Sequence, residues 1–260
     1  RLHTHFAENA EDDEFSLPTF GCRPMEYLER TGWCSERTWV AHCVMPNAEE
    51  VVRLGAAGIG VAHCPSSNLI LSSGISPVVP MRAAGVKVGL GVDGSSSADS
   101  ASVWLEARTA MLLAKLRDGA QAGTARMALE MATLGGARAT GMLDRIGSIE
   151  SGKCADIVIH TLDRPELVPV TNMVRGLFYS ARSKSVHTVI IDGKVVLLAG
   201  EFPAFPRTAG NSYIPGTPVQ GSPPVQEERH GRTGAVALRV RGRGNGLYGK
   251  GYLQSPEGME

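Results

Sequence analysis

Four short apolar runs, each followed by an amphipathic stretch, constrain this chain more than any other feature. The runs occupy residues 1–7, 38–44, 60–63 and 87–92, and helical patterns follow over 23–31, 47–57, 76–84 and 100–117. Strands that are apolar along most of their length need cover on both faces, and alternation with helices supplies it. The pattern predicts an α/β fold with parallel strands, either a doubly wound sheet or a (β/α) barrel. Four βα units make half of an eightfold barrel, and the count favours that reading. Local signals agree with it. Asn47 stands as N-cap before Glu49 and Glu50, Pro77 lies near a helix start, and Leu105, Leu112 and Leu116 recur at helical spacing.

A further helix is expected over 124–135, capped by Thr124 and stopped by Gly135-Gly136. The texture then changes. Residues 147–159 and 186–198 are β-rich, and Asp192-Gly193 between two β-branched runs signals a hairpin. The expected organisation is a half barrel over 1–143, a segment of a small β domain over 144–201, and a tail over 202–260. In the tail Pro and Gly are dense and Arg239, Arg241 and Arg243 cluster, so disorder is expected: such a composition buries too little apolar surface to offset chain entropy. A Gly-Arg stretch can bind RNA weakly, but a flexible tail is the preferred reading.

With 26 basic and 26 acidic residues the formal net charge is zero, so no overall field draws the chain to nucleic acid or an acidic membrane. A small-molecule partner is expected instead. No apolar run reaches the ~18 residues a membrane span needs. Five cysteines without CxxC spacing read as reduced, mostly buried thiols of a cytoplasmic protein. The chain opens at Arg1-Leu2-His3, without methionine or a basic leader, and reads as the middle of a longer protein with no signal peptide.

Chemistry-bearing residues gather where the strands end: His3, His5 and Glu8, then His42, His63 and Asp93. In a parallel barrel the carboxyl ends of the strands converge on one mouth. Any one of these residues alone suits a structural role; the set points to a site. His3 and His5 lie two apart, so they face the same way on a strand. Imidazole nitrogens and carboxylate oxygens ligate zinc at about 2.0–2.2 Å, and a catalytic site keeps one position open for water.

Several segments together resemble the amidohydrolase superfamily, within it the cytosine/guanine deaminase and triazine-hydrolase group. They are His3-Thr4-His5-Phe6-Ala7-Glu8, Val40-Ala41-His42-Cys43, Ala62-His63-Cys64-Pro65-Ser66-Ser67-Asn68 and Gly91-Val92-Asp93-Gly94-Ser95, with residues 146–157 as the return to a small β domain. The phrasing of residues 7–16 and 91–99 is most similar to 8-oxoguanine deaminases. The resemblance implies the C-terminal half of a (β/α)8 barrel, strands five to eight, and one divalent metal, zinc or iron. It implies that His5 and Asp93 hold the metal and that Glu8 shuttles a proton to a ring nitrogen. His42 would orient the attacking hydroxide, and Asp93 would also take the proton from water. His63 and Asn68 would contact substrate, or else stabilise the core and the loop. His3 would be structural. The implied reaction is hydrolytic deamination of a purine-like heterocycle, by a family whose full-length members form homo-oligomers. A triazine-type chlorohydrolase or aminohydrolase, and a non-catalytic fragment, are the alternatives.

One departure stands out. The family's strand-one HxH is absent, and His3-Thr4-His5 cannot serve as it, because only three later strands precede the small β domain. His5 and Asp93 alone make two ligands, short of the three a catalytic zinc usually keeps. The chain by itself is therefore expected to be inactive, with its first and last strands open to association.

Overall fold

In the computed structural model, which describes residues 1–204, 226–228 and 237–239, four strands pair side by side. They are β1 (Leu2–Phe6), β2 (Thr38–His42), β3 (Gly60–His63) and β4 (Lys87–Leu90), all parallel and in chain order across the sheet. Helices α1 (Ala10–Phe20) and α2 (Pro24–Arg30) join β1 to β2, and α3 (Ala48–Ala56) joins β2 to β3. Helices α4 (Pro65–Ile70) and α5 (Val78–Ala83) join β3 to β4, and α6 (Ser95–Ala98) and α7 (Val103–Asp118) follow it. The α/β expectation with a parallel sheet holds.

The core follows from the register. Val40 sits opposite Val61 and Val61 opposite Val88, so three valines form one row across the sheet. Met25 and Leu28 of α2, Val51 and Leu54 of α3, and Val78 and Met81 of α5 share a buried cluster with that row. Burying each such side chain contributes about 1.5–3 kcal/mol. The Asn47 cap forms as expected: its side chain accepts from the Glu50 N–H while Glu50 answers the Asn47 N–H, at 2.9 and 2.8 Å. Helices α1 and α4 carry no clear apolar period, since α1 buries only Ser16 and contains Pro18, and the sequence pattern does not announce them.

One helical leucine pattern turns outward, and one expectation is corrected. Leu105, Leu112 and Leu116 do not face the core; they are 48%, 37% and 76% exposed. Their shared stripe lies opposite Ala107, Ala110 and Ala114, all buried. The small alanines let α7 approach its neighbours closely, so the leucines point outward. Nor does Gly135-Gly136 stop a helix. After α8 (Ala125–Glu130) the chain continues through a π-helical turn (Met131–Gly135) into α9 (Gly136–Thr140), and it stops at Gly141 with φ 67°. The two glycines serve close approach instead. A Cβ on Gly135 would lie 2.2 Å from the Val88 carbonyl oxygen, and one on Gly89 would lie 2.7 Å from the backbone of Gly136.

A second sheet is antiparallel: β5 (Ile157–His160), β6 (Val186–Ile191) and β7 (Lys194–Leu198), in that order. Asp192 and Gly193 both take positive φ, 49° and 74°, in the two-residue hairpin expected of them. Strand structure begins only at Ile157, later than the β-rich stretch suggested. Helix α10 (Met173–Tyr179) places Phe178 in a second cluster with Ala107, Met111, Ala125 and Ala128.

Residues Arg1–Ala204 form one compact unit. In the second unit, strands β8 (Gln226–Glu228) and β9 (Ala237–Arg239) pair antiparallel. Apart from residues 202–204 and these two strands, the tail lies outside the described residues. Among the described residues no helix is long and apolar enough to cross a membrane. All five cysteines are free thiols, with Cys22, Cys43 and Cys64 buried.

Candidate metal centre

At their carboxyl ends the strands turn through a conformation that side chains resist. Ala7, His42, Cys43 and Asp93 take φ of 46°, 67°, 52° and 60°. Such left-handed residues cost of order 1–3 kcal/mol each and persist where surrounding bonds over-determine them. Those bonds are present. Cys43 N–H donates to the Phe6 carbonyl at 3.0 Å, Val44 and Met45 donate to the Ala7 carbonyl at 2.8 and 2.9 Å, and Gly91 donates to the His63 carbonyl at 2.9 Å.

These turns bring His5, His42 and Asp93 together. One potential ligand atom from each lies within 4.8 Å of the other two. The rings of His5 and His42 stack with centroids 5.2 Å apart. His42 is fully buried, and its Nδ1 donates to Asn68 Oδ1 at 3.0 Å. A proton on Nδ1 leaves a lone pair on Nε2, which is buried and has no hydrogen-bond partner. Glu8 Oε2 lies 3.6 Å from that nitrogen, an ion-pair distance too long for a hydrogen bond. Glu8 is held through its backbone, whose N–H donates to Asp12 Oδ2 at 2.7 Å.

Asp93 is held ionised. Burial pushes its pKa upward, but hydrogen bonds from Ser67, Ser97 and the Gly94 backbone, with a smaller effect of His42, outweigh burial and leave the carboxyl below its ordinary range. Both hydroxyls meet on Oδ2, Ser67 Oγ at 2.6 Å and Ser97 Oγ at 2.9 Å, and neither takes Oδ1. A cavity of about 390 Å³ is lined in part by His5, Ala7, Asp12, Phe15, Tyr27 and Trp33, and of the three clustered residues it includes His5 but neither His42 nor Asp93.

The other residues singled out from the sequence fall into place around this cluster. His63 is 1% exposed and outside the ligand group. Burial, and secondarily His42, pulls its pKa down to about 3, so the ring is neutral. Asn68, also 1% exposed, stands behind His42. His3 stacks on Trp39 at 3.6 Å with its Nδ1 3.1 Å from the Trp39 carbonyl oxygen; its ring centroid is 6.2 Å from that of His5, but it is outside the ligand group. The resemblance gives the ion to His5 and Asp93 alone; His42, assigned by it to the attacking hydroxide, has a ring nitrogen in the same group of potential ligand atoms. Asp12, Ser67, Ser97 and Glu106 were not singled out at all. Serine and carboxylate supports of this kind carry no motif of their own, although Ser67 and Ser97 lie within segments that do.

The donor set fits a zinc-type ion. Two imidazole nitrogens and a carboxylate oxygen match the ligands and number of a catalytic site, and the lone pair on buried His42 Nε2 has no other use in the fold.

A parallel α/β sheet with two histidines and an aspartate gathered at its carboxyl edge defines an α/β protein with a candidate metal site. More narrowly, the chain belongs to the amidohydrolase family, whose model matches residues 1–196. It is 51% identical to an 8-oxoguanine deaminase of Pseudomonas aeruginosa over 163 residues, 63% of this chain and 36% of that protein. It is 44% identical over 197 residues to a 5-methylthioadenosine/S-adenosylhomocysteine deaminase of Desulforudis audaxviator, covering 75% of this chain and 46% of the relative. Among solved structures it resembles an adenosine deaminase from Xanthomonas campestris with bound zinc, at TM-score 0.74 and 39% identity over 77% of this chain and 46% of that one. An atrazine chlorohydrolase from Arthrobacter aurescens complexed with zinc also gives TM-score 0.74, at 34% identity over 78% and 45%. The chain thus spans between about a third and about half the length of these relatives.

Proposed function

We propose that this chain supplies strands five to eight of a (β/α)8 barrel and part of the active site of a metal-dependent hydrolytic deaminase acting on a purine-like heterocycle. One observation carries the reading: His5, His42 and Asp93 converge within ligand distance with the Glu8 carboxylate beside them. His5 and Asp93 hold the ion, zinc or iron, and His42 Nε2 faces the same point. When bound, a zinc ion lowers the pKa of water to about 7 and so makes hydroxide available at neutral pH.

The chain's own groups then manage protons. Deamination needs water to lose a proton, a ring nitrogen to gain one, and the amine to leave protonated as ammonia. Asp93, already ionised, accepts the first proton from water and returns it to the amine, which leaves as ammonia. Glu8, 3.6 Å from His42 Nε2 and with its side chain 20% exposed, gives a proton to the ring nitrogen and regains one from the hydroxyl of the tetrahedral carbon as its carbonyl forms. His42 donates through Nδ1 to Asn68, and this fixes the ring so that Nε2 faces the reacting centre.

The test joins residues 1–200 to the complementary half of a relative, loads the protein with zinc, and measures ammonia from 8-oxoguanine, guanine and 5-methylthioadenosine. Glu8→Gln should abolish release. Silence with every amino-heterocycle defeats the reading. The likeness to an atrazine chlorohydrolase favours a second reading, displacement of chloride or an alkylamine from a triazine, so chloride and amine release are measured alongside. A non-catalytic role predicts negligible zinc in the purified chain.

A further inference from the structure

We propose that helix α4 acts as a positioning bracket that seats two of the candidate ligands at once, and that Glu106 of α7 locks the bracket from behind. The inference rests on the reading of His5, His42 and Asp93 as a metal centre. Ser67 and Asn68 are consecutive on α4, yet they serve different strands. Ser67 Oγ donates to Asp93 Oδ2 beyond β4 at 2.6 Å, while Asn68 Oδ1 accepts from His42 Nδ1 at the end of β2 at 3.0 Å. Both side chains are buried, at 0% and 1% exposure. A shift of α4 would therefore disturb the carboxylate and the imidazole together.

What holds α4 is Glu106. Its side chain is wholly buried, and its Oε2 accepts from the Ser66 N–H, next to Ser67, at 2.9 Å. Oε1 has no partner. A six-residue helix cannot hold its own position by intrahelical bonds, and a buried carboxylate is tolerated only where its bonds satisfy a structural need. Here one N–H fixes the start of the turn whose next two residues reach the site. Outer partners of this kind orient metal ligands and typically change affinity by about 10–100-fold when removed.

The experiment uses the full chain and two readouts. One is the ring tautomer of His42 in the metal-free protein, from nitrogen-15 NMR at mildly alkaline pH; the other is cobalt affinity by chelator competition. Glu106→Met, which cannot accept the Ser66 N–H, should lower the share of the Nδ1–H tautomer and weaken cobalt binding by about tenfold or more. Glu106→Gln keeps an acceptor oxygen and should restore both. Ser67→Ala, which frees the same turn from Asp93, should move both readouts and serves if Glu106→Met fails to fold. A role confined to stability would lower the melting temperature while leaving tautomer and affinity of the folded protein at wild-type values, and that result overturns the proposal. If the wild type binds no cobalt, the metal-centre reading falls, and the tautomer alone still decides whether α4 is a bracket.

Discussion

Protonation of His63 should set the acid limit of stability. The ring is 1% exposed, and burial, then His42, places its pKa at about 3 against 6.5 for an unperturbed histidine. Between these values the unfolded chain binds a proton that the fold excludes, so stability rises with pH across that window. Because the folded pKa is the lower one for a base, the effect is an acid-side penalty. It is negligible above about pH 7 and grows by ~1.4 kcal/mol per pH unit below the unfolded pKa. Moving from pH 7 to pH 5 should remove about 2 kcal/mol, a large share of the ~5–15 kcal/mol that folded domains possess. His63→Leu deletes the titration, and His63 Nδ1 has no hydrogen bond to lose. Urea unfolding of both proteins at pH 7, 6 and 5 reads the difference, since the carboxylates they share cancel. Equal losses in wild type and variant over that window would refute the burial argument for His63.

Gly89→Ala should destabilise by about 1–3 kcal/mol, because the new methyl meets the Gly136 backbone at 2.7 Å, whereas Gly176→Ala on α10, with its nearest atom at 3.7 Å, should be neutral or stabilising; thermal melts compare them. Arg23 binds both oxygens of Glu50, which is 4% exposed, and also Asp13 and the Met45 carbonyl. Arg23→Met should cost about 2–4 kcal/mol by stranding the Glu50 carboxylate, at the low end of buried pairs because Arg23 reaches solvent. Burial opposes ionisation of Glu50, but Arg23 and the Asn47 N–H prevail and lower its pKa. Its stabilisation is thus in place above the ordinary glutamate range and is lost as the pH falls through the lower folded value; in Arg23→Met that acid dependence should shrink in urea titrations. Burial, then Asp93, pushes the Cys64 thiol up to about 12, and burial raises Cys43 further. A thiol reagent at pH 8 should label both far more slowly in the folded protein than in urea, and rapid labelling of all five cysteines would contradict the buried placement.

Much of the site was legible because its residues lie within strand-end motifs. His5, Glu8, His42 and Asp93 were all found that way, and the structure brings them to one rim. Role was harder to read than location. Asn68 and His63 share one motif, but the first accepts a hydrogen bond from His42 while the second is a neutral ring outside the ligand group. Nothing local distinguishes an asparagine that meets a substrate from one that holds a ligand.

The amino-acid order by itself determined the strand–helix alternation, the capping box at Asn47, the Asp192-Gly193 hairpin and the identity of the metal-ligating types, because each depends on neighbours within a few residues. Tertiary structure alone decided that the α7 leucines face outward, that Gly135 and Gly136 admit a close backbone crossing, and that a ring nitrogen of His42 lies close to one of His5 and to the carboxylate of Asp93. It also decided that Glu106, thirteen residues beyond Asp93, accepts the Ser66 N–H. These depend on which surfaces meet, and burial, close approach and hydrogen-bond partners are properties of packed elements rather than of the chain that forms them.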